Sequence, residues 1–397
     1  MTTKDSFDVK PTILIVCNYY LPGYKSGGGL RTIAHTVERF HDRFDFRIIT
    51  FDHDADKIPY ETIKVNEWND MSGAKVFYMS KDKAKISKLR ELVWQVHPQV
   101  IYLNSVFSVL SVYLLILRKI NALPPVKIIL APEGELSAGA LQLKPAKKKV
   151  FTTFAKITGL YRNLIWKTTA EPETLETERF KGRGGKIFIA PNIPSRHLLN
   201  DYRQDLKPKK KAGEAKMIFL SRYMRKKNFK WLIDNLDNIE GSLKIDIYGP
   251  IEDESYWRET QEKITLLPSN IEINYQGHLR YEEVLEKLFE YQFFVLPTLG
   301  ENFGHVFIEA LAAGCPILTS DRTPWRNLQE KRVGWDLPLE QPLKWNEIIN
   351  FCINLDELSY RKLSKNAREY ACQWLAEPEI EENTLRVLQY GLKESLV

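Results

Sequence analysis

Short apolar runs rich in β-branched side chains recur along the whole chain and alternate with stretches whose apolar residues fall three and four apart. In the first half the runs are 12–17 (TILIVC), 46–50 (FRIIT), 75–79 (KVFYM), 100–103 (VIYL), 127–131 (KIILA) and 186–190 (KIFIA). Helical periodicity occupies 28–41, 83–97, 106–120 and 147–160 between them. Runs that are apolar throughout, rather than at every second residue, belong to strands covered on both faces, and strands separated by helices pair in parallel. The pattern predicts a doubly wound α/β domain.

The stretch 201–216 (DYRQDLKPKKKAGEAK) is almost devoid of large apolar residues and is expected to be a linker, because it offers nothing to a core. The alternation then restarts at 217–221 (MIFLS), 243–248 (LKIDIY), 271–275 (IEINY), 292–297 (QFFVLP) and 315–320 (CPILTS). The expected architecture is α/β, with two doubly wound, Rossmann-like domains at 1–200 and 217–375. In open parallel sheets, ligands bind outside the carboxyl ends of the strands. Two such sheets facing each other make a cleft lined by the loops after each strand.

A length of 397 residues suits two domains, and 44% hydrophobic with 27% charged residues is ordinary for a folded chain. The net charge of +6 is a small excess of 57 basic over 51 acidic residues. It suits phosphorylated substrates or an anionic membrane surface better than nucleic acid, which calls for a concentrated basic face. Cys17, Cys315, Cys352 and Cys372 have no metal-ligand spacing and fit a reducing cytosol. The first ten residues are polar and the apolar run at 12–17 is only six long, so no signal peptide is expected. The most apolar stretch, Val106–Leu117, is twelve residues long against the roughly 20 that a spanning helix needs, and reads as a buried helix.

Three segments carry chemistry. In 293–320 (FFVLPTLGENFGHVFIEALAAGCPILTS) a strand ends at Pro297, a helix begins near Gly304 and stops at Gly314, and a further strand follows. A helix N-terminus presents unpaired N–H groups and partial positive charge, which suits a diphosphate. Glu301 and Glu309 bracket it, and a carboxylate can accept two sugar hydroxyls at once; the alternative is that Glu301 caps the helix and Glu309 is a surface residue. In 217–232 (MIFLSRYMRKKNFKWL), Arg222 and Lys227 lie in the loop after a strand, a fork of donors and a compact charge suited to a leaving diphosphate. A solvated basic turn is the alternative for all four cations of this loop, and is the reading taken for Arg225 and Lys226. Between strand one and its helix, Gly27, Gly28 and Gly29 precede Leu30 and Arg31, without the spacing of a dinucleotide fingerprint.

In these residues the chain resembles the retaining glycosyltransferases of family 4 (glycosyl transferases group 1), which have the GT-B fold. The carriers are two glutamates separated by seven residues, Glu301 and Glu309, together with Phe303-Gly304, Glu309-Ala310-Leu311, Gly314 and Pro316. The resemblance is strong over 216–340 and looser over 11–200. It implies a metal-independent transfer of a sugar, with retention, from a UDP- or GDP-sugar to an acceptor hydroxyl, with no cofactor. Glu309 is implied to bind the ribose and Glu301 the transferred sugar. Backbone amides around Asn302, Phe303, Gly304 and His305 would reach the diphosphate, and Arg222 and Lys227 its oxygens. Asn228 stands where the family usually has glycine. Gly28 and Gly29 correspond to a loop lying against the donor phosphate, with Gly27 towards the acceptor. The closing segment 376–397, helical near 378–392, is implied to cross back to the first domain. The usual setting is bacterial surface polysaccharide assembly (O-antigen, capsule or exopolysaccharide), on a glycan or lipid-linked glycan, in the cytoplasm or peripherally on the inner membrane face.

Many family members have a histidine followed by glycine after the strand 127–131, where this chain has Glu133-Gly134-Glu135. Either Glu133 or Glu135 is expected to contact the acceptor hydroxyl or donor sugar, Glu133 as a catalytic candidate and Glu135 on the acceptor side. In Lys144–Trp166, the lysines Lys147, Lys148 and Lys149 accompany Phe151, Phe154, Ile157, Leu160, Tyr161 and Trp166, a pattern that suits either an anionic bilayer or a core-packed helix. Asp52-His53-Asp54 lies in a polar loop far from the donor residues and is not read as a metal motif. A catalytically silent nucleotide-sugar-binding partner and a GT-B nucleotide-sugar epimerase are the alternative readings.

Overall fold

The computed structural model describes residues 10–141, 145–200 and 203–393. The polar residues 1–9, Lys144, the first two linker residues and the last four residues of the closing segment lie outside the described residues.

The chain divides into two units, Met1–Ile193 with Pro378–Val397, and Pro194–Glu377. The first contains β1 (Thr12–Val16), β2 (Asp45–Phe51), β3 (Trp68–Met71), β4 (Ala74–Met79), β5 (Val100–Asn104), β6 (Lys127–Ala131), β7 (Ile165–Thr168) and β8 (Lys186–Ile189). They form one sheet in the order β3-β4-β2-β1-β5-β6-β7-β8, parallel except for β3, which pairs antiparallel with β4 at the edge. The second unit contains β9 (Glu214–Leu220), β10 (Ser242–Tyr248), β11 (Ile271–Tyr275), β12 (Phe293–Leu296), β13 (Ile317–Ser320) and β14 (Gly334–Leu337). Their order is β11-β10-β9-β12-β13-β14, and every pairing is parallel.

β1, β5, β9, β10 and β12 are almost wholly buried, because helices cover both faces of each sheet. The stretch 106–120 forms the helix Val109–Lys119, with Leu110, Leu114, Leu115 and Leu117 inside. Among the described residues no helix is long and apolar enough to cross a membrane. The helix Pro378–Leu392 packs in the first unit, where Arg39 pairs with Glu381 and the Tyr390 ring lies 4.9 Å from Phe188.

Three expectations need correction. The linker is not loose. Lys207 and Lys210 are buried in the second unit, Lys207 donating to the carbonyls of Leu288 (3.3 Å) and Tyr291 (2.8 Å) and Lys210 to those of Ile353 (2.7 Å) and Leu355 (2.9 Å). Residues 214–216 already belong to β9, and the unit boundary falls at Ile193 rather than after residue 200. Secondly, the aromatic pattern in 144–166 does not lie on one helix. The helix Pro145–Thr158 ends before Gly159, and Leu160, Tyr161 and Trp166 are buried, Trp166 within β7. Only Phe154 and Ile157 of that set face solvent. Thirdly, β3, β7 and β14 carry polar residues among the apolar ones and were not expected as strands.

Candidate functional site

Strand order marks where each sheet is open to a ligand. In the second unit β9 lies between β10 and β12, so the chain leaves β9 in one direction and reaches β12 from the other. Helices on opposite faces then leave a crevice beyond the carboxyl ends of these two strands. The residues there are 221–228 and 297–304, which contain Arg222, Lys227, Glu301, Asn302, Phe303 and Gly304.

The two loops are tied together. A 3-10 turn, Arg225–Lys227, follows β9, and Asn228 adopts the left-handed conformation (φ 60°) before the helix Phe229–Asp234. The Lys226 carbonyl accepts from Leu299 N–H (2.8 Å) and the Thr298 hydroxyl (3.1 Å). Lys226 is thus anchored through its backbone, whereas Arg225 faces solvent and pairs with Asp253 and Glu259. Lys227 Nζ donates to Glu301 Oε1. Burial alone pushes the Glu301 carboxyl up, but the adjacent Lys227 ammonium, seconded by Lys226, brings it below its ordinary value. Burial likewise lowers Lys227, and Glu301 only partly offsets this. The carboxylate is ionised at neutral pH. Arg222 is less enclosed and donates to Glu252 Oε1 at 3.0 Å.

Segment 320–325 holds the 298–303 loop from its other side. The Ser320 hydroxyl donates to Thr298 O, Glu301 N–H to Arg322 O (3.2 Å) and Trp325 Nε1 to Phe303 O (2.7 Å). The loop is followed by the helix His305–Ala312, whose N-cap Gly304 has φ 75° and supplies no side-chain cap. A Cβ on Gly304 would stand 2.6 Å from Phe307 Cδ2, so glycine is required here for space as well as conformation. Glu309 is only 4% exposed, which removes the reading of it as a surface residue.

In the first unit β1 lies between β2 and β5, and the loop after β1 carries the glycines. Gly27 (φ 81°, ψ −142°) is the N-cap, while Gly28 and Gly29 are the first residues of the helix Gly28–Phe40. Asn104 at the end of β5 donates to Gly29 O (3.1 Å). The Asp54 carboxylate accepts from Tyr24 N–H (2.6 Å) and Lys25 N–H (2.7 Å), so the polar Asp52–Asp54 loop braces this turn. No group of three or more potential metal ligands occurs among the described residues.

The structure separates Glu133 from Glu135. Glu135 is a scaffold residue whose carboxylate accepts from the Ser105 hydroxyl (2.8 Å), Val106 N–H (2.7 Å) and Phe107 N–H (3.1 Å), closing the turn after β5. These bonds, most of them to Oε2, give Glu135 a structural part in the turn. Glu133 has a left-handed backbone (φ 52°), costly for a residue with a side chain, and such strain gathers at working sites. Its Oε2 accepts from Asn192 Nδ2 (3.0 Å), while Oε1 makes no hydrogen bond and stands 3.8 Å from Lys167 Nζ. Lys167 and Asn192, at the carboxyl ends of β7 and β8, were missed. The only sequence signal was a lysine interrupting the apolar run LIWKT.

Residues 202–370 match the family model described as glycosyl transferases group 1. No curated protein matches the sequence. Among solved structures, HepE from Anabaena in complex with UDP and glucose is 16% identical with a TM-score of 0.68, covering 96% of this chain and 100% of that one. Sucrose-phosphate synthase from Thermosynechococcus elongatus is 16% identical with a TM-score of 0.69, over 96% and 99%. A pneumococcal O-GlcNAc transferase, GtfA, is 13% identical with a TM-score of 0.60, over 97% and 100%. The fold is GT-B. The family match over 202–370 and the fold both point to a glycosyltransferase.

Proposed function

We propose that the protein is a retaining, metal-independent glycosyltransferase of family 4. It moves a sugar from a UDP- or GDP-sugar to a hydroxyl of a glycan or lipid-linked glycan, in bacterial surface polysaccharide assembly, in the cytoplasm or on the inner face of the cell membrane. The observation that carries this reading is the buried Lys227–Glu301 pair beyond β9 and β12, immediately before the uncapped helix start at Gly304. A lysine there offsets charge building on a leaving diphosphate, and the first amides of the helix, from His305 on, add donors fixed in advance. Arg222 supplies a second cation. Glu301 takes hydroxyls of the transferred sugar and Glu309 those of the ribose. In the first unit Glu133, with its unbonded oxygen, takes an acceptor or donor-sugar hydroxyl. Solved proteins of this fold holding UDP-glucose support the donor class.

Calorimetric titration with UDP and GDP tests the assignment. Arg222→Ala and Lys227→Ala should each weaken nucleotide binding by about 1.5–3 kcal/mol, the worth of charge-assisted hydrogen bonds. Glu309→Gln should weaken UDP while leaving inorganic diphosphate nearly unchanged. Normal nucleotide binding by all three variants would place the donor elsewhere.

A further inference from the structure

The sheet of the first unit has a second opening, at the edge opposite the glycine loop and Glu133. A cavity of about 1060 Å³ lies against the amino ends of β5, β6, β7 and β8, with the last turn of the helix Pro378–Leu392 on one side. The charged residues of its lining are Arg118, Lys127, Lys186 and Lys393, and no carboxylate is among them. What holds these cations is neutral. Arg118 donates to the carbonyls of Arg162 (3.0 Å) and Asn163 (3.3 Å), and Lys127 to that of Lys393. Carbonyls orient a cation without cancelling its charge, and burial alone draws the Arg118 pKa below its ordinary value. The Nζ atoms of Lys186 and Lys127 stand 4.8 and 5.5 Å from the centre of the Tyr390 ring, so two ammonium groups converge on one side chain. Like charges held this close repel, and an anion between them relieves the repulsion.

We propose that this cavity binds an oligophosphate, a chain of phosphoryl groups free in solution or carried by a nucleotide. Its volume is that of a small-molecule site and exceeds what one phosphate fills. Every charged side chain in the lining is a hydrogen-bond donor, and phosphate oxygens are acceptors throughout. An acidic glycan would bring hydroxyl donors and meet no carboxylate to accept them, and Gln99 Oε1 already accepts from Thr12 N–H (2.6 Å). The inference rests on this cavity alone and holds whether or not the transfer reaction is the one assigned above.

Calorimetric titration of the full chain with tripolyphosphate tests it. Lys227→Ala is titrated alongside, because a diphosphate crevice in the second unit would take the same probe. Both proteins should show a saturable event that weakens as salt is raised. The double variant K186Q/K393Q and the single variant R118Q should each weaken that event at least about tenfold. Lys186 and Lys393 are exposed, so the double variant should keep the parent melting temperature, which separates lost binding from lost folding. The two readings fail separately, since the donor crevice answers to Lys227→Ala and this cavity to K186Q/K393Q. Displacement of tripolyphosphate by ATP but not by adenosine supports the site and assigns the chain of phosphates to a nucleotide; tripolyphosphate that ATP does not displace supports it as a site for the free oligophosphate. No saturable event, parent-like binding by both K186Q/K393Q and R118Q, complete loss in Lys227→Ala, or tighter binding of an oligogalacturonate than of tripolyphosphate would overturn the proposal.

Discussion

Lys227 and Glu301 form an ion pair between side chains each only 11% exposed, although 74 positions separate them in the chain. It exists because β12 lies directly beside β9, so two loops remote in sequence end at the same crevice. Taking two charges out of water is costly, and the pair persists because each offsets the burial of the other.

Removing one partner should therefore cost more than removing both. Glu301→Gln strands a buried ammonium and should lower unfolding stability by about 3 kcal/mol, whereas the double change with Lys227→Met should recover most of that. Urea denaturation of the parent, both single variants and the double variant gives the coupling. A coupling near zero would mean that the two side chains do not meet in solution.

Acid should erase the contribution. The Glu301 carboxyl titrates below its ordinary 4.5, so its stabilisation is complete above that value and is lost as pH falls through the lower folded-state value. The stability gap between the parent and Glu301→Gln should stay level from about pH 8 to about pH 5 and close below that. Urea midpoints across the acid range give the profile. A gap that closes between neutrality and about pH 6 contradicts the sign.

The two glutamates after β6 should behave differently. Glu135 serves the turn after β5, and Glu135→Ala should lower stability by about 3 kcal/mol through its lost bonds. Glu133→Gln keeps the shape beside Lys167 and Asn192, and should act on transfer rate, by about tenfold or more, rather than on the unfolding midpoint. Thermal unfolding alongside a donor-turnover assay separates them. Equal loss of stability in both would reduce Glu133 to a structural residue.

Trp325 should matter to nucleotide binding without touching nucleotide. Its indole N–H holds the Phe303 carbonyl, and its ring packs on Phe303, Phe307 and Trp374. Trp325→Phe keeps much of the packing and loses the bond, worth about 1 kcal/mol. UDP affinity should fall several-fold with little change in circular dichroism. Unchanged affinity would show that the loop is held without it.

Much of the second unit was legible because its signals are local. The apolar strand ending at Pro297 and Gly304 as the start of a helix each follow from a few neighbouring residues. The failures have equally specific causes. Lys207 and Lys210 look like linker residues because lysine is seldom buried, yet ready-made groups of backbone carbonyls take up their ammonium charges. β7 was hidden because Lys167 interrupts it and because the preceding lysines continue a helical pattern.

By itself the amino-acid sequence determined the alternation of strand and helix, the doubly wound class and the identities of Arg222, Lys227, Glu301 and Glu309 as candidates. The alternation and the class follow from apolar period, which acts over a few residues, whereas the four candidates were singled out through the resemblance to the family as well as their place in the loops. Only the tertiary structure decided that Lys227 reaches Glu301, that Glu135 binds the turn after β5 while Glu133 keeps an oxygen unbonded, and that Lys167 and Asn192 stand beside it. Those relations depend on strand order, and strand order is settled by how helices pack across whole sheets, a balance no short window of residues contains.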